Sequence, residues 1–412
     1  MIRPERRTRG DLIAAGAIVA VVAVAAALFW WTSDSRHTVS DPAEVELTTP
    51  VAAGAVPTAV HELWHADSPV TTMPVVAGGA VITASGSAMT GRDPVTGNVA
   101  WTYARDLPLC GVSSVYHWAV AVYPDSRGCG QVSAINGSTG RRGPTRTGYA
   151  DKQVTLSTDG STILAAGDTR IEQWRSDLVR TIAFGETDAR YKPAHVGLGK
   201  GCTLLSAAGE SQQVSVLQAC PDQADVKVTL VKTADQDDEP TLIDVPEPGI
   251  SAASGARIVA VSGGTTAVYL PSPKPRLSIL NDSGKETASV LLDAPAAPLG
   301  PPGTETASTA KSGDLVTWWT GRSVVVLAAD GLRYRYSVTA SGPDVPLGPG
   351  TTMAGKLLIP HTGGIGVYDT KTGAKQRFLP VARPAVDSAI GLKAMGSTII
   401  EQRGDTVVGL GG

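Results

Sequence analysis

Two patterns of apolar residues follow one another along the chain. From residue 12 to residue 31 no side chain is charged, and at about 1.5 Å per residue a helix of that length covers roughly 30 Å, the hydrocarbon thickness of a bilayer. The pattern predicts one membrane-spanning helix, 12–31, behind a tail of residues 1–11. Beyond residue 60 the chain changes to short runs of Val, Ile, Leu and Thr broken by Gly, Asp, Asn and Ser, as at 80–84, 118–123, 162–166, 257–261 and 323–327. These predict strands joined by tight turns, and no capped amphipathic helix of ordinary length interrupts them. Residues 32–59 are rich in Ser, Thr, Pro, Ala and acidic side chains without an apolar period. That stretch reads as a flexible linker.

Charge orients the helix. Arg3, Arg6, Arg7 and Arg9 precede it, while Asp34, Asp41, Glu44 and Glu46 follow, so the positive-inside rule places residues 1–11 in the cytoplasm and residues 60–412 outside it. A cleaved signal peptide is the alternative, with Ala25, Ala26 and Ala27 as its small-residue site. The apolar run is long for that role, and Trp30 and Trp31 suit a membrane interface. The formal net charge of -3 gives no basic footprint for nucleic acid.

The strands repeat. A turn of the form Asp93, Thr96, Gly97 followed by Trp101 recurs in weaker form at Asn136, Thr139 and Gly140, at Asn281, Ser283 and Gly284, at Asp330 and Gly331, and at Asp369, Thr372 and Gly373. Several successive turns lie roughly 42 to 47 residues apart, the period of four-stranded propeller blades. Outer strands counted near Trp101, Arg146, Ile182, Leu242, Val290, Tyr336 and Phe378 give seven blades. An eighth follows if 397–400 and 406–410 are completed by the early strand 61–65, which would close the ring with both ends of the chain. The fold class is therefore all-β, an eight-bladed propeller with seven blades as the alternative, preceded by one transmembrane helix.

The turn motif resembles the blade signature of the quinoprotein-like (PQQ-like) β-propeller repeats, in which an Asp is followed by Thr-Gly and then an aromatic. Asp93, Thr96, Gly97 and Trp101 fill every position, whereas the turn at Thr372 and Gly373 has Arg377 at the aromatic position with Phe378 beside it. The resemblance implies an architecture from about residue 60 to residue 412. Its motif specifies fold: glycine takes the positive φ of the hairpin, the carboxylate bonds the turn backbone, and the aromatic packs between blades. Trp174, Trp318 and Trp319 read as packing of the same kind. Quinoprotein dehydrogenases of this family add an adjacent cysteine pair and acidic calcium ligands, neither of which is matched here. Another member is an outer-membrane assembly lipoprotein used only for protein contacts.

Cys110, Cys129, Cys202 and Cys220 fall in two pairs close in sequence, in a compartment that permits oxidation. The expected bridges are Cys110 with Cys129 and Cys202 with Cys220, with free buried thiols as the alternative. No CxxC suggests a zinc ribbon or redox site.

His61, Glu62 and His65 form a literal H-E-x-x-H. On a helix the two histidines would hold one zinc with the Glu as general base; on a strand they lie roughly 13 Å apart, beyond the reach of a single ion. Pro57 before and Pro69 after favour a strand. No G-x-S-x-G elbow is present, His117, His195 and His361 lack sequence neighbours to form a site, and the acidic run 235–239 lacks the spacing of a calcium loop. Two stretches, 233–239 and 295–304, read as solvated loops. No catalytic set, cofactor or metal site is predicted. The expectation is a non-enzymatic scaffold on the outer side of the cell membrane, with an envelope or membrane protein partner. The alternatives are a receptor for a lipid, glycan or small molecule in the propeller funnel, then a quinoprotein dehydrogenase or a zinc enzyme. The Ala-rich face of the helix and Gly16 would permit close packing against another span, with a plain anchor as the simpler reading.

Overall fold

The computed structural model describes residues 8–188, 199, 201–233, 240–298, 306–384 and 388–412. Arg3, Arg6, Arg7, His195 and the acidic run 235–239 lie outside the described residues.

The N-terminal helix spans Arg9–Thr32, and none of its residues is buried. It begins three residues before the uncharged run because Thr8 and Asp11 form a capping box. The Thr8 hydroxyl accepts from the Asp11 amide at 3.2 Å, and the Asp11 carboxylate accepts from the Thr8 amide at 2.7 Å. Those bonds satisfy backbone donors that the helix end would leave unpaired. The helix is long and apolar enough to cross a membrane.

The remaining strands form eight sheets, each an antiparallel meander. Successive blades run over 75–104, 111–147, 155–185, 203–246, 257–291, 309–338 and 351–380, and the eighth combines 390–411 with His61–Asp67. Within each blade we letter the strands a to d outward from the ring axis; the first strands of successive blades touch each other, which places strand a innermost. Alternation of direction puts the a–b and c–d turns on one face of the disc (the turn face) and the b–c and d–a connections on the other (the loop face).

Closure uses both ends of the chain. His61–Asp67 is strand d of blade 8 and pairs antiparallel with Thr406–Gly411, from His61 opposite Gly411 to Asp67 opposite Thr406. The core is a ring of eight apolar layers, one between each pair of neighbouring blades. Trp318 lies in the layer between blades 5 and 6, fully buried and 5.5 Å from the Tyr269 ring centre. Trp174 fills the layer between blades 2 and 3, so both tryptophans are interblade packing.

Residues 32–59 correct the expectation of a flexible linker. A short 3-10 helix at Asp34–His37 leads into a strand, Val39–Asp41, that pairs with strand d of blade 1 and makes it five-stranded. The chain then lies across the turn face as a strap. The Ala43 amide donates to Thr139 O at 3.0 Å and the Leu47 amide to Ser138 O at 2.9 Å. Gly79 lets the strap pass, since a Cβ there would meet Leu47 O at 2.4 Å. Farther on, Val56 is buried in the layer between blades 7 and 8. A polar composition does not prevent ordering when the partner is a row of turn carbonyls that need donors.

Both expected disulfides are present, Cys110 with Cys129 and Cys202 with Cys220. Each ties the start of a strand a to the b–c side of its own blade, so both lie on the loop face. Of the stretch 295–304, the part up to Ala297 packs on the disc: the Ala297 amide donates to Thr320 O at 2.7 Å and Arg257 Nη2 donates to Ala297 O at 2.6 Å.

Candidate functional site

The signature turns explain how the blades register with one another. In blade 1 the Asp93 carboxylate accepts from the Val95 and Thr96 amides at 2.9 and 2.8 Å, and from the Thr96 hydroxyl at 3.1 Å. Gly97 follows with φ +72°. Blade 7 repeats the arrangement, with Asp369 accepting from the Lys371 and Thr372 amides at 3.0 Å each and Gly373 at φ +71°. Asn136 does the same for Thr139 and Gly140 in blade 2.

Each of these glycines receives an aromatic ring from the preceding blade. Trp64 of blade 8 packs on Gly97, Trp101 of blade 1 on Gly140, and Tyr336 of blade 6 on Gly373; a Cβ at these glycines would come within 2.4 to 2.5 Å of the rings or their stems. The polar edge of each ring bonds the same turn: Trp64 Nε1 to Pro94 O at 3.0 Å, Trp101 Nε1 to Gly137 O at 2.7 Å, and the Tyr336 hydroxyl to Asp369 O at 3.2 Å. An aromatic with a polar tip thus both fills the layer and satisfies a turn carbonyl.

Arg377 departs from the motif for a visible reason. The next blade around the ring is blade 8, whose strands c and d come from opposite ends of the sequence and share no hairpin. The strap passes there instead, and Arg377 Nη2 donates to Val56 O at 2.6 Å.

The H-E-x-x-H segment is a strand, so it lacks the helical spacing that would bring both rings to one ion. Trp64 and Ala66 face the core while His61 and His65 are exposed. Glu62 is taken up by neighbours, 2.8 Å from His65 Nδ1 and 3.5 Å from Arg403. Among the described residues no three His, Cys, Asp or Glu side chains converge in a way that could hold a metal.

Three polar clusters were not legible from sequence spacing. Glu401, fully buried on strand b of blade 8, lies 2.5 Å from Arg383 and 2.8 Å from Arg403, and Arg383 also donates to His361 O and Gly364 O. Glu172 on strand c of blade 3 accepts from Arg146, Arg170 and the Trp174 ring. Burial pushes its carboxyl up, but Arg146 and Arg170 together outweigh that and hold it below the ordinary value. His361 has Asp344 at 2.7 Å from Nδ1 and the Tyr368 hydroxyl at 2.8 Å from Nε2, with Lys375 at 2.5 Å from the other Asp344 oxygen. Burial keeps the imidazole below its ordinary value despite the opposing pull of Asp344. His117 is different, exposed at the a–b turn of blade 2 with its ring 4.5 Å from that of Trp118.

Glu247, on the loop face between blades 4 and 5, is 8% exposed. Burial pushes its carboxyl up to about 7, with Arg276 opposing and Glu286 adding to the rise. A folded-state value above the unfolded one means that the folded chain holds this proton more tightly. The resulting stabilisation is complete at acid pH and is lost as pH rises through about 7. Glu247→Gln, which cannot ionise, is expected to leave stability at pH 4 nearly unchanged and to raise it at pH 8 by on the order of 3 kcal/mol. Urea denaturation at the two pH values checks this, and an equal effect at both would refute it.

Two small cavities lie between neighbouring blades. A cavity lined by Thr155, Ala166, Leu204, Ser206 and Thr306 holds about 10 Å³, as does a second beside Tyr149, Glu172 and Trp174. Each has room for about one water molecule, far below the several hundred Å³ of a small-molecule pocket.

The sequence matches no family model and no curated protein. Among solved structures, Sqt1 of Saccharomyces cerevisiae is similar over 87% of this chain and 99% of its own, with 10% identity and a TM-score of 0.52. The computationally designed Ika8 protein is similar over 89% and 99%, with 13% identity and a TM-score of 0.50. BamB from Moraxella catarrhalis aligns over 86% and 100% at 12% identity, with a TM-score of 0.49. At such identities the shared property is the fold. This chain is an eight-bladed β-propeller.

Proposed function

We propose that this protein is a single-pass membrane protein of the PQQ-like propeller type, which presents its disc outside the cytoplasm as a non-enzymatic docking scaffold for a cell-envelope complex. The observation that carries the reading is the joint between anchor and disc: the apolar helix ends at Thr32 and the propeller's outermost strand begins at Val39. An arginine-rich flank before the helix and acidic residues after it support the orientation, and two disulfides suit an oxidising compartment. The signature residues Asp93, Thr96, Gly97, Trp101, Thr139, Gly140, Asp369, Thr372 and Gly373 support the family reading: the Asp and Thr side chains bond their turns, the glycines take positive φ, and Trp101 packs between blades.

The test is photo-crosslinking in the native membrane from probes on both faces, combined with protease treatment of intact cells. A reproducible envelope or membrane protein partner and digestion of the propeller from outside are the expected results. Recovery of a tightly bound small molecule with no protein partner would replace the scaffold by a receptor, and a propeller protected in intact cells but digested in inverted vesicles would reverse the topology.

A further inference from the structure

We propose that the loop face at blades 1 and 2 lies against the outer surface of the bilayer, so that the turn face with its strap is presented away from the lipid. The proposal rests on the helix being a membrane anchor and deepens that reading from location to orientation.

Three observations point the same way. The first is reach. Only residues 33–38 separate the helix end from the first strand. Six residues extend at most about 20 Å, and four of these are wound into a 3-10 helix, which shortens them further.

The second is register. Val39 pairs with Ala104 and Asp41 with Thr102, and strand d of blade 1 runs from its turn-face end at Val99 to its loop-face end at Ala104. The chain arriving from the helix therefore meets the disc at the loop-face edge and runs along the rim toward the turn face. His37 marks the entry, with Nδ1 4.0 Å from Asp106 in the d–a loop of blade 1.

The third is the path that follows. The strap crosses the turn face from Ala43, bonded to Thr139, to Val56, bonded to Arg377. Both ends of the strap are thereby held against the turn face, whereas residues 33–38, which join the disc to the helix, leave from the loop-face edge, and their short reach keeps that edge nearer the helix end than the turn face. On the membrane side, the Arg36 guanidinium lies 4.0 Å from the Trp31 ring centre. A cation over an interfacial tryptophan fixes the connector at the level of the lipid headgroups.

The test uses the full chain in nanodiscs whose lipids carry a headgroup-attached quencher. Fluorophores are placed on Ser126→Cys and Pro108→Cys, exposed on the loop face of blades 2 and 1, and on Lys285→Cys, exposed on the turn face of blade 5 across the ring. The native cysteines are bridged and do not react. Quenching several-fold stronger at positions 126 and 108 than at 285 is expected. Inserting about 24 Gly and Ser residues between Ser33 and Asp34, a linker spanning roughly 27 Å, should erase the difference. Equal quenching at all three sites in a protein that co-purifies with the nanodisc would overturn the orientation and leave the anchor standing. Failure to co-purify would overturn the anchor and the orientation with it.

Discussion

Removing residues 403–412 is expected to abolish the cooperative thermal unfolding of the whole propeller rather than to fray one blade. The deletion takes away Thr406–Gly411, the strand to which His61–Asp67 is bonded, and with it Val407, Val408 and Leu410, each at most 2% exposed. Trp64 loses the backbone against which it packs at Gly409. Four such side chains at about 1.5–3 kcal/mol each come to on the order of 6–12 kcal/mol, comparable with the entire net stability of a typical domain, about 5–15 kcal/mol. The layers of blade 8 with blades 7 and 1 open together, because one sheet serves both. Circular dichroism of the full chain in detergent, with and without the deletion, measures the effect. An unchanged melting temperature would show that the ring does not depend on this closure.

Glu401→Ala is expected to cost about 3–5 kcal/mol. The substitution leaves the Arg383 and Arg403 side chains, each 5% exposed, without the carboxylate that neutralises them. Their remaining acceptors differ. Arg383 keeps the carbonyls of His361 and Gly364, whereas Arg403 keeps, among the described residues, Glu62 at 3.5 Å as its charged partner. A second variant separates charge from packing: Glu401→Leu combined with Arg403→Met removes the carboxylate together with one of its two buried cations and should recover part of the loss, with Arg383 left to the carbonyls of His361 and Gly364. Chemical denaturation of the two variants against the parent gives the comparison. If the double variant is as unstable as Glu401→Ala, packing and not unpaired charge is responsible.

The parts of this fold that could be read in the sequence are those that repeat. Strand positions, the turns at Asp93, Asn136 and Asp369, and ring closure through residues 61–65 all rest on local periodicity and on turn chemistry that operates within a few residues. The two disulfides followed from pairing by proximity. What could not be read depends on contacts between distant segments. Residues 32–59 have the composition of a tether, and nothing within them signals that Ala43 and Leu47 will donate to a turn nearly a hundred residues away. Arg377 looks like a decayed signature position until the strap is seen to lie beside it. The Asp344, His361 and Tyr368 group is similarly assembled from strands b and c of blade 7 and the loop before that blade. Glu401 and Arg403 share one side of a strand two residues apart, which is a weak sign of a buried pair, but Arg383 comes from a separate loop.

Closure by the two ends of the chain also has a consequence in time. During synthesis His61–Asp67 emerges early and its bonding partner Thr406–Gly411 emerges roughly 340 residues later, a delay of about 20–70 s at ordinary elongation rates. For that interval one long strand edge, with Trp64 on it, has no native neighbour and is open to pairing with another chain. On the proposed anchoring, a span fixed in the bilayer would limit diffusion of the waiting edge until the last strand completes the ring.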